Sequence, residues 1–202
     1  MDLTYPEECY RTHIETIIDD ILGPDKLTFR IENFVLYEKS PDYCARAECD
    51  LITSYGALKL RGSGSGIMEA LFNAFIAAYR KEYYCLETVE FEDFSARVKF
   101  SDGQKRSKID APVEITVAIK THHKTRLYFR AQSSSLTGAA IDVVSAAIEF
   151  LINCERAVTA LCLDIHTLRE AKKGYLIDSY VFKLTELVSA ANFEKTVSKV
   201  EC

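Results

Sequence analysis

Chemistry is most legible at Gly62-Ser63-Gly64-Ser65-Gly66, where glycine and serine alternate between a strand-like run and a helical stripe. Backbone N–H groups that converge where a chain enters a helix can receive an anion, aided by the positive end of the helix dipole. The run is not a dinucleotide fingerprint, because its spacing is G-x-G-x-G and consecutive strand-like segments precede it in place of a single βαβ crossover. Nor is it a P-loop, since no Lys-Ser or Lys-Thr follows. Two readings stay open: glycines demanded by a tight strand-to-helix turn, or a site for a small anion or carboxylate. A related stretch, Ser134-Ser135-Leu136-Thr137-Gly138, opens another helical stripe further along.

The remaining reactive residues form no catalytic arrangement, whether Ser/His/Asp or Cys/His. His122 and His123 are adjacent in a polar turn and point to opposite sides, which disfavours joint metal ligation. His13 and His166 stand alone on helical stretches. The 7 cysteines (Cys9, Cys44, Cys49, Cys85, Cys154, Cys162 and Cys202) include no Cys-x-x-Cys pair and read as the reduced thiols of an intracellular protein. No metal, no cofactor and no enzymatic activity are expected.

Composition narrows the partners. A net charge of −5 and a pI near 5.5 argue against capture of nucleic acid or an anionic membrane, both of which need a concentrated basic face. Hydrophobic residues at 48 % and charged residues at 27 % are those of a soluble globular protein. The N-terminus lacks a basic start and an apolar run, and no segment reads as a membrane span of roughly 18 apolar residues. A cytoplasmic location is expected.

Periodicity then supplies the elements that must position the glycine run. Tyr10, Ile14, Ile17, Ile18, Ile21 and Leu22 recur at helical spacing, and Gly23-Pro24 ends that helix. Three strand-like runs follow, through Phe29–Leu36, Tyr43–Leu51 and Tyr55–Leu60, and then a helix with Ile67, Leu71, Ala74, Phe75 and Ala78 on one stripe. The pattern returns: Ile31-Glu32-Asn33-Phe34 reappears 60 positions later as Phe91-Glu92-Asp93-Phe94. Both copies shift their apolar residues from one parity to the other at the polar pair, as a β-bulge requires. Strands through Val113–Ile119 and Leu127–Ala131 complete the second unit, and its helix carries Ile141, Val144, Ala147, Ile148 and Leu151. Glu69 answers to Asp142 at a separation of 73, so the second unit is longer, with most of the extra residues placed in Ser101–Asp110. The helical pattern from Ile141 towards Leu168 is unusually long, so a break near Asn153–Glu155 is expected. A last helix is expected over Tyr175–Ala190.

The fold class is therefore α+β: two tandem βββα units between an N-terminal helix and C-terminal helices. The divisions are 1–24 for the first helix, 25–86 and 87–160 for the two units, and 161–202 for a helical extension. A three-stranded sheet with one helix leaves its other face needing cover, which points to packing between the units or against a second subunit.

Gly64-Ser65-Gly66-Ile67-Met68-Glu69-Ala70 resembles the G-x-G-P-x-D-A segment that opens the first helix of the regulatory domain of 2-isopropylmalate synthase. Phe91-Glu92-Asp93-Phe94-Ser95-Ala96 is similar to that family's L-x-D-Y-x-V strand, and Gly138-Ala139-Ala140-Ile141-Asp142 to the G-x-x-x-D start of its second helix. The resemblance spans about Phe29 to Val158; it departs at Ile67 for Pro, Glu69 for Asp, and Leu136 for a second-motif Gly, which bears on ligand identity more than on fold. It implies a domain that dimerises and binds an end-product amino acid, leucine or isoleucine, as in the synthases of isopropylmalate and citramalate. The catalytic barrel of that family, roughly 250 residues, does not fit in this chain, and Asp164–Glu170 resembles the barrel's D-x-T-L-R start only superficially, within a helical pattern.

On this reading, N–H groups around Gly64, Ser65, Gly66, Ile67 and Met68, and around Thr137, Gly138, Ala139, Ala140 and Ile141, receive a carboxylate. Glu69 and Asp142, or backbone carbonyls, offset the ammonium, although both are also explained as first-turn acidic residues. The small residues Ala70, Ala74, Ala139 and Ala140 leave room for an aliphatic side chain. The expected function is a stand-alone homodimeric sensor of leucine, isoleucine or a related small carboxylate, acting through a partner such as a separate synthase chain. The alternative is a ligand-free dimerisation scaffold.

Overall fold

The computed structural model describes residues 6–39, 44–98, 111–121, 126–171, 174–190 and 193–199. Helix α1 (Pro6–Leu22) is followed by strands β1 (Arg30–Lys39), β2 (Cys44–Thr53) and β3 (Gly56–Gly64) and helix α2 (Ile67–Tyr79). After a 3₁₀ turn at Tyr84–Glu87 come β4 (Glu90–Val98), β5 (Val113–Lys120), β6 (Arg126–Ser133) and α3 (Leu136–Glu170), and then α4 (Gly174–Ala190) and α5 (Glu194–Lys199). The sheets are antiparallel meanders, β1-β2-β3 and β4-β5-β6, each followed by a helix. The fold is thus the α+β arrangement of two βββα units that the repeat implied. His122, His123 and the Ser101–Asp110 insertion lie outside the described residues.

The two phase changes are bulges. Register shifts between Ile31 and Asn33 against β2, and between Phe91 and Asp93 against β5. An extra residue in one strand turns the following side chains to the opposite face. Phe34 and Phe94 thereby join the same side of their sheets as Ile31 and Phe91, opposite Cys49 and Val117.

One hydrophobic core runs through both units. Ile14 and Ile18 of α1, Leu71 and Phe75 of α2, Leu51 and Leu60 of sheet one, and Ile115 and Phe129 of sheet two all belong to it, with most of α3. Phe29 stacks on Phe75 with ring centroids 5.1 Å apart, and Phe72 meets Phe91 at 5.7 Å, joining the first helix to the second sheet.

The outer face of sheet one carries cross-strand charge. On sheet one Glu48 pairs with Arg46 at 2.8 Å and with Arg61 at 3.6 Å, and Asp50 with Lys59 at 3.7 Å, so this face is solvated by cross-strand charge. Apolar residues are uncovered on both sheets: Val35 (46 %) and Tyr37 (57 %) beside that charge on β1, and Phe94 and Val98, each 48 % exposed, on the core side of β4.

The glycine run also differs from its sequence reading. Gly62 and Gly64 are strand residues of β3, paired with Ala47 and Ala45, and the strand runs up to Gly64 before α2 begins. A Cβ on Gly62 would lie 2.3 Å from the carbonyl oxygen of Ala70 and 2.4 Å from the nitrogen of Ala74, and one on Gly64 would lie 2.7 Å from the nitrogen of Ala70. With Ala45, Ala47 and Ala70 buried at this contact, small residues let the helix backbone sit directly on the strands. Ala70, Ala74, Ala139 and Ala140 are correspondingly buried in packing contacts, at 0–1 % exposure, and do not line an open space for a ligand side chain.

The expected break at Asn153–Glu155 does not occur: α3 is continuous for 35 residues. Its polar residues solve a different problem. Asn153, 2 % exposed, accepts from the Leu27 N–H and donates to the Leu27 carbonyl, both at 2.8 Å. Glu155, 4 % exposed, accepts from the N–H groups of Tyr84 (3.1 Å) and Cys85 (2.9 Å) and from the Thr196 hydroxyl (2.8 Å). Buried polar groups must be paired, and these pair with backbone that has left its secondary structure. Against the expectation of no span-like segment, α3 also holds an 18-residue window of mean hydropathy 1.5. Its apolar character follows from burial on nearly every side within the core.

Two variants test this packing. Gly62→Ala forces backbone apart and is expected to lower stability by about 1–3 kcal/mol, whereas Gly66→Ala, whose Cβ would meet nothing within 4 Å, leaves the melting temperature unchanged or slightly raised. Asn153→Leu strands both polar groups of Leu27 and is expected to cost about 2–4 kcal/mol, read from urea unfolding.

Candidate functional site

The first helix N-terminus opens on a cleft of about 690 Å³. Ser65, Gly66, Ile67, Met68 and Glu69 line it, together with the apolar side chains of Phe72 on the same helix and of Val89, Phe91 and Phe94. Phe72 on α2 meets Phe91 at the start of β4, a strand that is exposed along most of its length, and the cleft lies beside that contact. Phe91 and Phe94 contact each other at 6.2 Å, on either side of the β4 bulge, so the bulge aims both rings to one side.

Gly66 is the N-cap residue of α2, with extended backbone (φ −166°, ψ −176°) and no side-chain cap. Its carbonyl accepts from the Ala70 N–H at 3.0 Å, so the helix begins directly behind it. The N–H groups of the first turn accordingly have no capping side chain. Glu69 is tied back to the residue before the cap: its Oε2 accepts from the Ser65 N–H at 2.8 Å and from the Ser65 hydroxyl at 2.7 Å. Those two bonds to the ionised form hold the Glu69 carboxyl below its ordinary value. Asn73 pins the helix from the next turn, donating to the Ser63 carbonyl at 2.9 Å.

Charge in the cleft has one sign. Glu38, Glu69 and Glu90 line it, and no Lys or Arg is among the described residues that do, although Lys120 pairs with Glu90 at 3.6 Å from outside the lining. The positive element is the helix N-terminus itself. The arrangement can therefore hold a zwitterion: an anionic end at the first turn, a cationic end among the carboxylates, and an apolar body against the phenylalanines.

The second turn is built differently. Ser135 caps α3 by accepting from the Gly138 N–H at 2.9 Å. A Cβ on Gly138 would meet the Ser133 and Ser135 hydroxyl oxygens at 2.5 and 3.0 Å, so this glycine keeps the cap intact. Thr137 and Asp142 are exposed, Ala139 and Ala140 are buried in the core, and none of these residues lines the cleft at α2. Of the residues singled out by sequence, the structure thus brings Ser65–Glu69 together around one cleft. Gly64 stands beside it, filled over by Glu69 and Ala70, and Thr137, Gly138, Ala139, Ala140 and Asp142 lie elsewhere.

Sequence reasoning missed the wall and two of the carboxylates. Phe91 and Phe94 were visible as the repeat motif, but their lining role depends on how α2 and β4 meet. Glu38 and Glu90 carry no signal, being two of 30 acidic residues distinguished only by position. No family model matches the sequence, and no curated protein matches it either.

Because bonding to Ser65 lowers the Glu69 pKa, its contribution is present above the ordinary carboxyl value of about 4.3 and is lost as pH falls through the folded-state value. The melting-temperature gap between wild type and Glu69→Gln should accordingly be widest near neutrality and close on acidification, as followed by circular dichroism.

Proposed function

We propose that the chain is a stand-alone regulatory domain that binds a branched-chain amino acid, leucine or isoleucine, in the cleft at the start of α2. The observation that carries this reading is an uncapped helix N-terminus in a cleft lined by phenylalanines and carboxylates, with no Lys or Arg among its described lining residues. A simple carboxylate anion would meet Glu38 and Glu69 there, with Glu90 paired to Lys120 at 3.6 Å, whereas an α-amino acid brings an ammonium that suits the free carboxylate oxygens. The wall of Phe72, Phe91, Phe94 and Val89 suits an aliphatic side chain. The tandem βββα units with paired bulges, together with the Gly64–Ala70 motif, support the likeness to the feedback domain of 2-isopropylmalate synthase.

The domain then acts in the cytoplasm through a partner, for which a separate synthase chain is the natural candidate. A homodimer is part of the proposal, with Phe94 and Val98 at its interface. These two exposed residues also favour a second reading, a ligand-free dimerisation scaffold.

Titration calorimetry decides between them. Leucine or isoleucine is expected to bind the wild type and, at 100 times its dissociation constant, to add about 2.7 kcal/mol of stability. Gly66→Val places bulk at the mouth of the first turn, where a Cβ meets no protein atom; it should abolish binding while light scattering still reports a dimer. Absence of both heat and melting shift with either amino acid would leave the scaffold reading.

A further inference from the structure

A second, larger cavity of about 940 Å³ lies at the distal half of α3, walled by the tip of the β2–β3 hairpin, the Gly23–Asp25 turn and the residues around Tyr84. We infer that it binds an aromatic monocarboxylate, whose carboxylate pairs with Arg156 and whose ring packs among Tyr55, Tyr83 and Tyr84.

Among the described residues that line it, Arg156 is the only Lys or Arg, with His166 further along α3. Its guanidinium is mounted firmly: Nη2 donates to the Asp25 carbonyl at 2.9 Å and to the Tyr55 hydroxyl at 2.6 Å, and Cζ lies 5.3 Å above the Tyr55 ring. The other terminal nitrogen, Nη1, is shielded from solvent and has no hydrogen-bond partner among the described residues. No carboxylate among the described residues forms an ion pair with it. The adjacent Glu155 is not available as its counterion, since both of its oxygens are taken by Tyr84, Cys85 and Thr196. Turning Nη1 out of its shielded position into the cavity gives that donor a partner, and an incoming carboxylate then completes a charge-assisted pair.

The rest of the wall specifies the body of the ligand. Tyr83, Tyr84, Leu22, Ala160 and Leu163 present rings and aliphatic surface, and the volume falls in the range of sites for small organic molecules. Asp25 and Glu82, both exposed, stand on the rim. One guanidinium matches one carboxylate, and Asp25, Glu82 and Glu155 on the same lining disfavour further negative charge. This cavity shares no lining residue with the cleft at α2, so the inference stands apart from the proposed amino-acid site.

The chain contains no Trp, so indole fluorescence reports a bound indole probe without background. Indole-3-acetate is expected to show a saturable rise in anisotropy with the full chain, and its uncharged analogue, indole-3-ethanol, to bind at least about tenfold more weakly. Arg156→Gln should weaken the acetate to the level of the alcohol, while Gly66→Val leaves it unchanged. No saturation up to about 1 mM, equal binding of acid and alcohol, or loss of the probe in Gly66→Val would each overturn the assignment. The acid-against-alcohol comparison uses wild-type protein and therefore decides even if Arg156→Gln fails to fold.

Discussion

The architecture depends on one desolvation problem, that of placing Asn153 and Glu155 in the middle of a buried helix. Both are nearly without solvent contact, and an unpaired amide or carboxylate there would cost several times a typical hydrogen bond. They are satisfied by backbone of the two stretches that most need anchoring: Leu27, which leads from α1 into the first sheet, and Tyr84-Cys85, which leads from α2 into the second. Thr196 of α5 bonds to the same carboxylate. One helix thus fixes how the N-terminal helix, both βββα units and the C-terminal segment meet, which explains why a single core serves both units.

A second constraint acts through absent atoms. Gly62, Gly64 and their alanine neighbours remove side chains from the strand–helix contact, so α2 rests on β3 at backbone distance. That approach sets where the first turn of α2 emerges relative to β4. In the second unit the equivalent helix is capped by Ser135 and its glycine is enclosed by serine hydroxyls. The two helix starts, alike in motif, consequently differ in chemistry: one N-terminus is left to the cleft, and the other is closed by its own side chain.

The large cavity beside Arg156 arises from the same anchoring. The Tyr84 turn is held against α3 by Glu155, and the Gly23–Asp25 turn by the bond from Arg156 to the Asp25 carbonyl. Between these two fixed points, the bulk of Tyr55 and Tyr83 holds open a space lined by α3. Burial, and after it the nearby Glu82 charge, raises the Tyr83 hydroxyl well above its ordinary value, so that ring stays neutral.

Local pattern determined a great deal of this protein. The period-two runs, the helical stripes and the repeated Ile31–Phe34 and Phe91–Phe94 segments were enough to define two βββα units, and the parity change in each copy located both bulges, because side-chain direction along a strand is a local geometric rule. The Ser65–Glu69 stretch was identifiable as a helix entrance for the same reason. Tertiary structure alone decided the rest. Whether Gly62 makes a turn or continues a strand depends on a helix backbone eight and twelve residues further on, at Ala70 and Ala74, touching it. Asn153 and Glu155 read locally as a helix break, and only distant backbone at Leu27, Tyr84 and Cys85 turns them into anchors. The phenylalanine wall, the ring of glutamates and the unpaired nitrogen of Arg156 are likewise products of long-range placement, since burial and the availability of a partner are properties of surroundings that no window of sequence contains.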